Sequence, residues 1–318
     1  MIYLLKDMIN PFNWIKLFLN PRKIFGLINR IFAYPGLRFG GINSLFYRKK
    51  IILLFTYFAK KNENFQKFFF LSGINNLEAN NKNFTLNISK QHILFLENKK
   101  KIFEKLKKYG VIVIENALND NEHNLVKSTF KDITEDPNFL IKNTKSDDVI
   151  SKFLNKNITF ENDLSKLSRI VTSEVYGKPI EPNLTYYYSK SKKLPEQNFP
   201  GDNNMHFDRF LPNLKIIYFP YEVDEDSSPF RYALGSHLID NKYLDFFIKN
   251  EKKFFDDRNK KIEVFNNCPE VKINLKQNSL IIALTNGLHG RTPFKKISER
   301  CGVFLTYPKF NMLSLLKL

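Results

Sequence analysis

The chain is poor in the residues that most often carry chemistry or cross-links. Its 318 residues include two cysteines (Cys268 and Cys301), five histidines and one tryptophan. Two cysteines exclude a disulfide framework and a cysteine-based zinc site, and they fit a reducing, cytoplasmic compartment. Long apolar runs are missing as well. The longest uncharged one, IILLFTYFA at 51–59, is about half of the roughly 20 residues a membrane span needs. No small-residue cleavage site follows a clean apolar stretch near the start, so a cleavable signal peptide is not expected. Internal repeats and low-complexity linkers are absent, and only a shift in composition near residue 90 suggests a boundary.

What the chain does have is apolar mass and positive charge. Hydrophobic residues make up 43% and aromatics 15%, enough for a buried core in one large or two modest domains. The net charge is +18. Residues 1–70 hold twelve Lys and Arg against Asp7 and Glu63, so this segment alone contributes +10. It also carries Trp14, and Pro11, Pro21 and Pro35 cut it into short pieces. Two readings stand for it. It is either a set of basic amphipathic segments resting on an anionic membrane surface or a partner, or a helical extension packed on the main domain with its lysines solvated. Nucleic-acid binding is not expected, because no helix-turn-helix, zinc-finger or RNA-binding signature accompanies the charge.

From residue 91 the pattern sharpens. QHILFLENKKKIFEKLKKYG places Leu94, Ile102, Phe103 and Leu106 at helical spacing and stops at Gly110. VIVIENAL (111–118) is of strand type, and NDNEHNLVKSTFKDI opens with capping residues and continues as a helix. Strand-like runs follow at 183–189, 214–223, 270–274, 279–285 and 301–307. Helices first and strands afterwards predict a mainly β core decorated by helices.

Within that core, NNMHFDRF (203–210) puts His206 and Asp208 two residues apart. On a strand they project from the same side, with Phe207 facing away. Two such ligands need a third from elsewhere to form the 2-His-1-carboxylate face typical of non-haem Fe(II) oxygenases. The candidates are His237, at the end of ALGSH, and His289, which follows the apolar SLIIALTNGL 81 residues after Asp208. Eleven residues beyond His289, Arg300 opens the apolar run CGVFLTY. A guanidinium pointing into a barrel is costly unless an anion meets it there. A dicarboxylate co-substrate such as 2-oxoglutarate would do so through paired charge-assisted hydrogen bonds.

At these residues the sequence resembles the phytanoyl-CoA dioxygenase family of iron- and 2-oxoglutarate-dependent oxygenases. MHFDRF, SPFRYALGSH and LHGRTPFKKISERCGVFLTY carry the likeness, together with the opening LKKYGVIVIENALNDNEHNLVKSTF. The resemblance covers residues 100–310. It implies a double-stranded β-helix (a cupin-like jelly roll) at 91–318, with flanking helices and a helical N-terminal extension at 1–90. It implies Fe(II) on His206, Asp208 and His289, and 2-oxoglutarate on Arg300. The expected reaction is hydroxylation of a small-molecule or lipid-like substrate with release of succinate and CO2, with ascorbate as candidate reductant. Halogenating relatives lack the carboxylate ligand, so Asp208 favours hydroxylation. One departure bears on the co-substrate. Two residues past the distal histidine the family often has Ser, where this chain has Arg291 and then Thr292. Either Arg291 shares the carboxylate, or it turns outward and Thr292 supplies a hydroxyl. The turn before His237 also lacks the family's proline.

The remaining candidates have plainer roles. His237 is expected to close a turn, and His92 and His123 lie on predicted helices outside the barrel. Arg209 and Arg231 face either the substrate mouth or solvent. Tyr186 and Tyr188 share a strand face and suit aromatic packing, and Cys301 suits a small buried hydrophobe. The polar stretch at 189–204 reads as a mouth loop, either a lid or plainly solvated. Two alternatives to the oxygenase remain: a non-catalytic jelly roll binding a metal or ligand, and a membrane-surface protein acting through its N-terminus.

Overall fold

A computed structural model of the chain describes residues 53, 56–57, 59–70, 77–87, 98–135, 149–154, 163–191, 205–208, 213–249, 265 and 267–307. The basic segment 1–50, His92, Arg209 and the mouth-loop residues 192–204 lie outside the described residues. So do residues 88–97, where the composition shifts.

In chain order the elements are α1 (Glu63–Phe69), α2 (Asn81–Phe84), β1 (Thr85–Asn87), α3 (Lys99–Tyr109), β2 (Val111–Glu115), α4 (Asp120–Glu135), β3 (Val149–Leu154) and α5 (Asp163–Tyr176). There follow β4 (Asn183–Ser191), β5 (Leu214–Phe219), β6 (Phe230–Ala233), α6 (Asn241–Lys249), β7 (Glu270–Ile273), β8 (Ser279–Leu284), β9 (His289–Arg291) and β10 (Glu299–Thr306).

The helices begin and end where side-chain chemistry requires. Lysines line the exposed face of α3, while Ile102, Phe103 and Leu106 are buried. Gly110 ends the helix in the left-handed region at φ 79°, and its N–H donates to the Leu106 carbonyl at 2.9 Å. That conformation is open to glycine at little cost. The start of α4 is capped by Asn119, whose Oδ1 accepts from the Glu122 N–H at 3.0 Å.

The strands form a seven-stranded sheet, in the order β1-β2-β8-β5-β10-β4-β3, and a three-stranded sheet, β7-β6-β9. From β5 onward the chain alternates between them. β5 lies in the large sheet, β6 and β7 in the small one, β8 in the large, β9 in the small and β10 in the large. The facing side chains pack together: Ile217, Phe219, Ile281 and Ala283 of the large sheet meet Phe230, Tyr232, Val271 and Ile273 of the small one. Two facing sheets crossed alternately by one chain make a jelly roll, the double-stranded β-helix. Among the described residues the sheets do not close into a single barrel.

Both faces of the large sheet are covered. Val111 and Val113 of β2 face the small sheet, while Ile112 and Ile114 join the helix-side core. A strand buried on both faces reads as an unbroken apolar run, which is why VIVI and LIIAL show no alternation. The helix-side core also takes in Phe65, Phe68 and Phe69 of α1. Residues 63–69 therefore pack into the helix-side core of the large sheet. No helix among the described residues is long and apolar enough to cross a membrane.

Candidate metal centre and co-substrate cavity

His206 and His289 meet through their backbones. They form an isolated antiparallel bridge, with the His206 N–H donating to the His289 carbonyl at 2.6 Å and the return bond at 2.9 Å. His289 is the first residue of β9 in the small sheet, so it does not extend the core strand β8 that precedes it in sequence. A turn through Asn286 and Gly287 carries the chain across from one sheet to the other. Asp208 follows the bridge, and its N–H donates to the Thr285 carbonyl at 3.0 Å.

This framework gathers three side chains. One ligand atom from each of His206, Asp208 and His289 lies within 4.8 Å of the others. His206 Nε2 is 3.7 Å and His289 Nε2 3.6 Å from the same carboxylate oxygen, Asp208 Oδ1. These separations are too long for hydrogen bonds. They are close to the roughly 3 Å between adjacent ligands of an ion bound at about 2.1 Å.

The donor set itself fits a metal. His289 Nδ1 lies 2.9 Å from the Gly287 carbonyl, and only an N–H can meet a carbonyl there. That fixes the tautomer and leaves the Nε2 lone pair facing Asp208. His289 is 2% exposed, and among the described residues its Nε2 has no hydrogen-bond partner. An orphaned buried acceptor beside a carboxylate is what a metal ligand looks like before the ion arrives. Phe230 stacks on the His289 ring at 5.7 Å and 28° and fixes its plane. Burial acts to raise the Asp208 carboxyl, but the Lys215 ammonium, 2.8 Å from Oδ2, outweighs it and holds the group well below the usual carboxylate range.

These residues help line a cavity of about 430 Å³ between the sheets. Arg300 of β10 lies on the same cavity and is 4% exposed. Its Nη1 donates to the Ser228 carbonyl at 2.7 Å, and its guanidinium carbon lies 5.8 Å from the Tyr187 ring and 5.9 Å from the Phe219 ring. Ser228 holds that carbonyl in place from a left-handed backbone, φ 61°, a costly conformation for a non-glycine residue. Arg291, two residues after His289 on β9, shares the cavity wall. Its Nη1 donates to the Tyr187 hydroxyl at 3.1 Å. Thr292 is buried but is not part of the cavity lining, and among the described residues its hydroxyl has no hydrogen-bond partner.

The other sequence candidates lie elsewhere. His237 is fully buried behind α3, with Nε2 3.0 Å from the Lys107 carbonyl and the Phe69 ring against it. His123 Nδ1 lies 2.7 Å from the Tyr218 hydroxyl. Arg231 pairs with Glu270, Nε to Oε1 at 3.0 Å. The Tyr186 ring packs on Phe130 in the helix-side core, and Cys301 is buried, which pushes its thiol up to about 12. Sequence reasoning missed Lys215 and Tyr187, which line the cavity, and Asn213, whose Nδ2 lies 3.4 Å from Asp208 Oδ2. A lysine interrupting the apolar run LKIIYF was the available signal for the first.

No protein-family model and no curated protein matches the sequence. Several solved structures resemble the fold. The epimerase SnoN from nogalamycin biosynthesis, solved elsewhere with Fe3+ and alpha ketoglutarate, is 12% identical over 69% of this chain and 89% of its own, with a TM-score of 0.48. AviO1 from Streptomyces viridochromogenes is 15% identical over 64% of this chain and 91% of its own, with a TM-score of 0.43. EctD from S. alaskensis, solved with 2-oxoglutarate and 5-hydroxyectoine, is 15% identical over 64% and 73%, also with a TM-score of 0.43.

Proposed function

We propose that this protein is an Fe(II)- and 2-oxoglutarate-dependent oxygenase of the phytanoyl-CoA dioxygenase type, hydroxylating a small organic substrate. One observation carries the reading: His206, Asp208 and His289 converge on a cavity whose wall also holds the buried Arg300. A metal-binding barrel alone has no use for an inward guanidinium.

His206 Nε2, Asp208 Oδ1 and His289 Nε2 would hold the iron. Arg300 would take the far carboxylate of 2-oxoglutarate in a forked, charge-assisted contact. Arg291 sits beside it on the same wall and would share that carboxylate, while Thr292 serves packing. With dioxygen as the oxidant, bound iron and 2-oxoglutarate would supply the chemistry that replaces a C–H hydrogen by hydroxyl, one oxygen atom going to the product and the other to succinate as CO2 leaves. The protein's own residues do the rest. Phe230 and the Gly287 carbonyl fix His289, Tyr187 and Phe219 flank the arginine, and Ile217 and Phe304 give the cavity an apolar wall that limits water. Three protein ligands including a carboxylate favour hydroxylation over halogenation.

The reading places the enzyme in the cytoplasm, and the +10 charge of residues 1–70 supports peripheral contact with an anionic membrane surface. Flotation with anionic vesicles checks that contact: the full chain should float and a chain starting at residue 90 should not.

The enzymatic reading is tested by incubating the full chain with Fe(II), ascorbate and 2-oxoglutarate and following succinate, with mass spectrometry of candidate metabolites for the gain of one oxygen atom. Asp208→Ala should abolish succinate formation. Undiminished succinate from that variant would refute the ligand set. Stabilisation by Mn(II) with no further response to 2-oxoglutarate would instead identify a metal-binding jelly roll without oxygen chemistry.

A further inference from the structure

Lys215 puts an ammonium group on an otherwise apolar stretch of the cavity wall. It is the second residue of β5, and the pleat places Lys215, Ile217 and Phe219 on the cavity side, with Ile216 and Tyr218 in the helix-side core. Its Nζ lies 2.8 Å from Asp208 Oδ2, the carboxylate oxygen that does not face the histidines. Asn213 supports the same oxygen, with Nδ2 at 3.4 Å, and donates to the Thr285 hydroxyl at 2.7 Å. Thr285 closes the arrangement, since its carbonyl takes the Asp208 N–H at 3.0 Å and its N–H donates to the Asn213 carbonyl at 2.7 Å.

The terminal torsion of an aspartate is soft, so the oxygen presented to an ion depends on what holds the other one. We propose that Lys215 is a positioning residue that occupies Asp208 Oδ2 and so offers the metal a single carboxylate oxygen, Oδ1. The proposal rests on the metal reading above and adds a residue to it. It also sets coordination number, because a carboxylate held this way cannot bind through both oxygens and leaves one more position for exogenous ligands. Two effects compete at Lys215. Its charge repels a dication, whereas its hydrogen bond keeps the carboxylate in the ligating pose. Removing outer partners of metal ligands commonly weakens metal binding about 10–100-fold, so orientation outweighs repulsion.

Co(II) binding to the full chain tests this without turnover, by calorimetry and by the visible absorption of the bound ion. Lys215→Met should bind Co(II) about 10–100-fold more weakly and change the absorption spectrum, as the freed second oxygen joins the ion. Lys215→Arg, which keeps the charge and the donors, should restore affinity to within about 5-fold and return the wild-type spectrum. Circular dichroism of the metal-free variants checks that the fold is unchanged, and Lys215→Gln substitutes for the Met variant if that one does not fold. Wild-type affinity and spectrum in Lys215→Met would overturn the positioning role and leave the metal centre standing. So would failure of the Arg variant to rescue. A wild-type chain that takes up no Co(II) would overturn the metal reading, and this inference with it.

Discussion

His206 and His289 exchange both of their backbone hydrogen bonds, at 2.6 and 2.9 Å, although about eighty residues of chain separate them. Two of the three candidate ligands are therefore set by strand pairing and not by an ion. The centre should exist before it is filled. Treatment with a chelator should leave circular dichroism unchanged, and Mn(II) at a hundredfold its dissociation constant should then add about 2.7 kcal/mol of stability. Asp208→Ala should lose that increment while keeping the fold. Unfolding on chelation would contradict a preformed site.

Arg300 separates co-substrate binding from metal binding. Truncating one partner of a buried, hydrogen-bonded charge pair costs about 2–5 kcal/mol. Arg300→Met should therefore raise the 2-oxoglutarate concentration for half-saturation by at least about 30-fold, with Co(II) affinity unchanged. A variant that needs no more 2-oxoglutarate than wild type would remove the arginine from the site.

Arg291 and Thr292 should behave differently under conservative change. Arg291 is on the cavity wall and Thr292 is not. Arg291→Gln should raise the half-saturating 2-oxoglutarate concentration, and Thr292→Val should leave it alone. Among the described residues the buried Thr292 hydroxyl has no hydrogen-bond partner, so the isosteric valine should be neutral or stabilising by up to about 1 kcal/mol in urea unfolding. The reverse pattern would assign the contact to Thr292.

His237 makes stability depend on pH. Burial outweighs its bond to the Lys107 carbonyl and brings the imidazole down to about 4. Its Nε2 donates to that carbonyl, so a second proton would go to Nδ1, which has no hydrogen-bond partner among the described residues and faces the space left by Gly110. A histidine whose value is lower folded than unfolded binds fewer protons in the native state. Its contribution is thus complete above the unfolded value near 6.5 and is lost as pH falls from there towards 4. Between pH 7.5 and 5 the chain should lose about 2 kcal/mol through this group. Urea titrations at the two pH values should show the loss in the wild type and a smaller one in His237→Gln.

Gly110 answers to the same histidine. A Cβ there would lie 2.4 Å from His237 Nδ1 and 2.5 Å from the Tyr232 hydroxyl, on a backbone at φ 79°. Gly110→Ala should cost on the order of 3 kcal/mol or more, from left-handed strain and overpacking together. A melting temperature within about 2 °C of wild type would show that both neighbours yield freely.

Much of this was readable in the residues themselves. Glycine after a lysine-rich amphipathic run marked the end of α3, and the Asn-Asp pair at 119–120 marked the start of α4. The His-x-Asp spacing, the distant histidine and the arginine eleven residues on all fall on one cavity. Other features depend on tertiary pairing that no local pattern encodes. The preceding run SLIIALTNGL suggested that His289 ends a core strand, but the turn at Asn286 and Gly287 moves it into the other sheet. The run 214–223 stops as a strand at Phe219, because Pro220 has no N–H to continue the ladder. Lys215 was hidden because only the alternation of β5 against Asp208 gives its charge a partner.

The histidine bridge also has a kinetic consequence. β9 can reach His206 only after the chain has crossed between the sheets several times and closed long loops, a slow kind of contact. A refolding chain should therefore regain helical signal early and acquire its Co(II) absorption late, so that the colour of the bound ion times the last step of assembly.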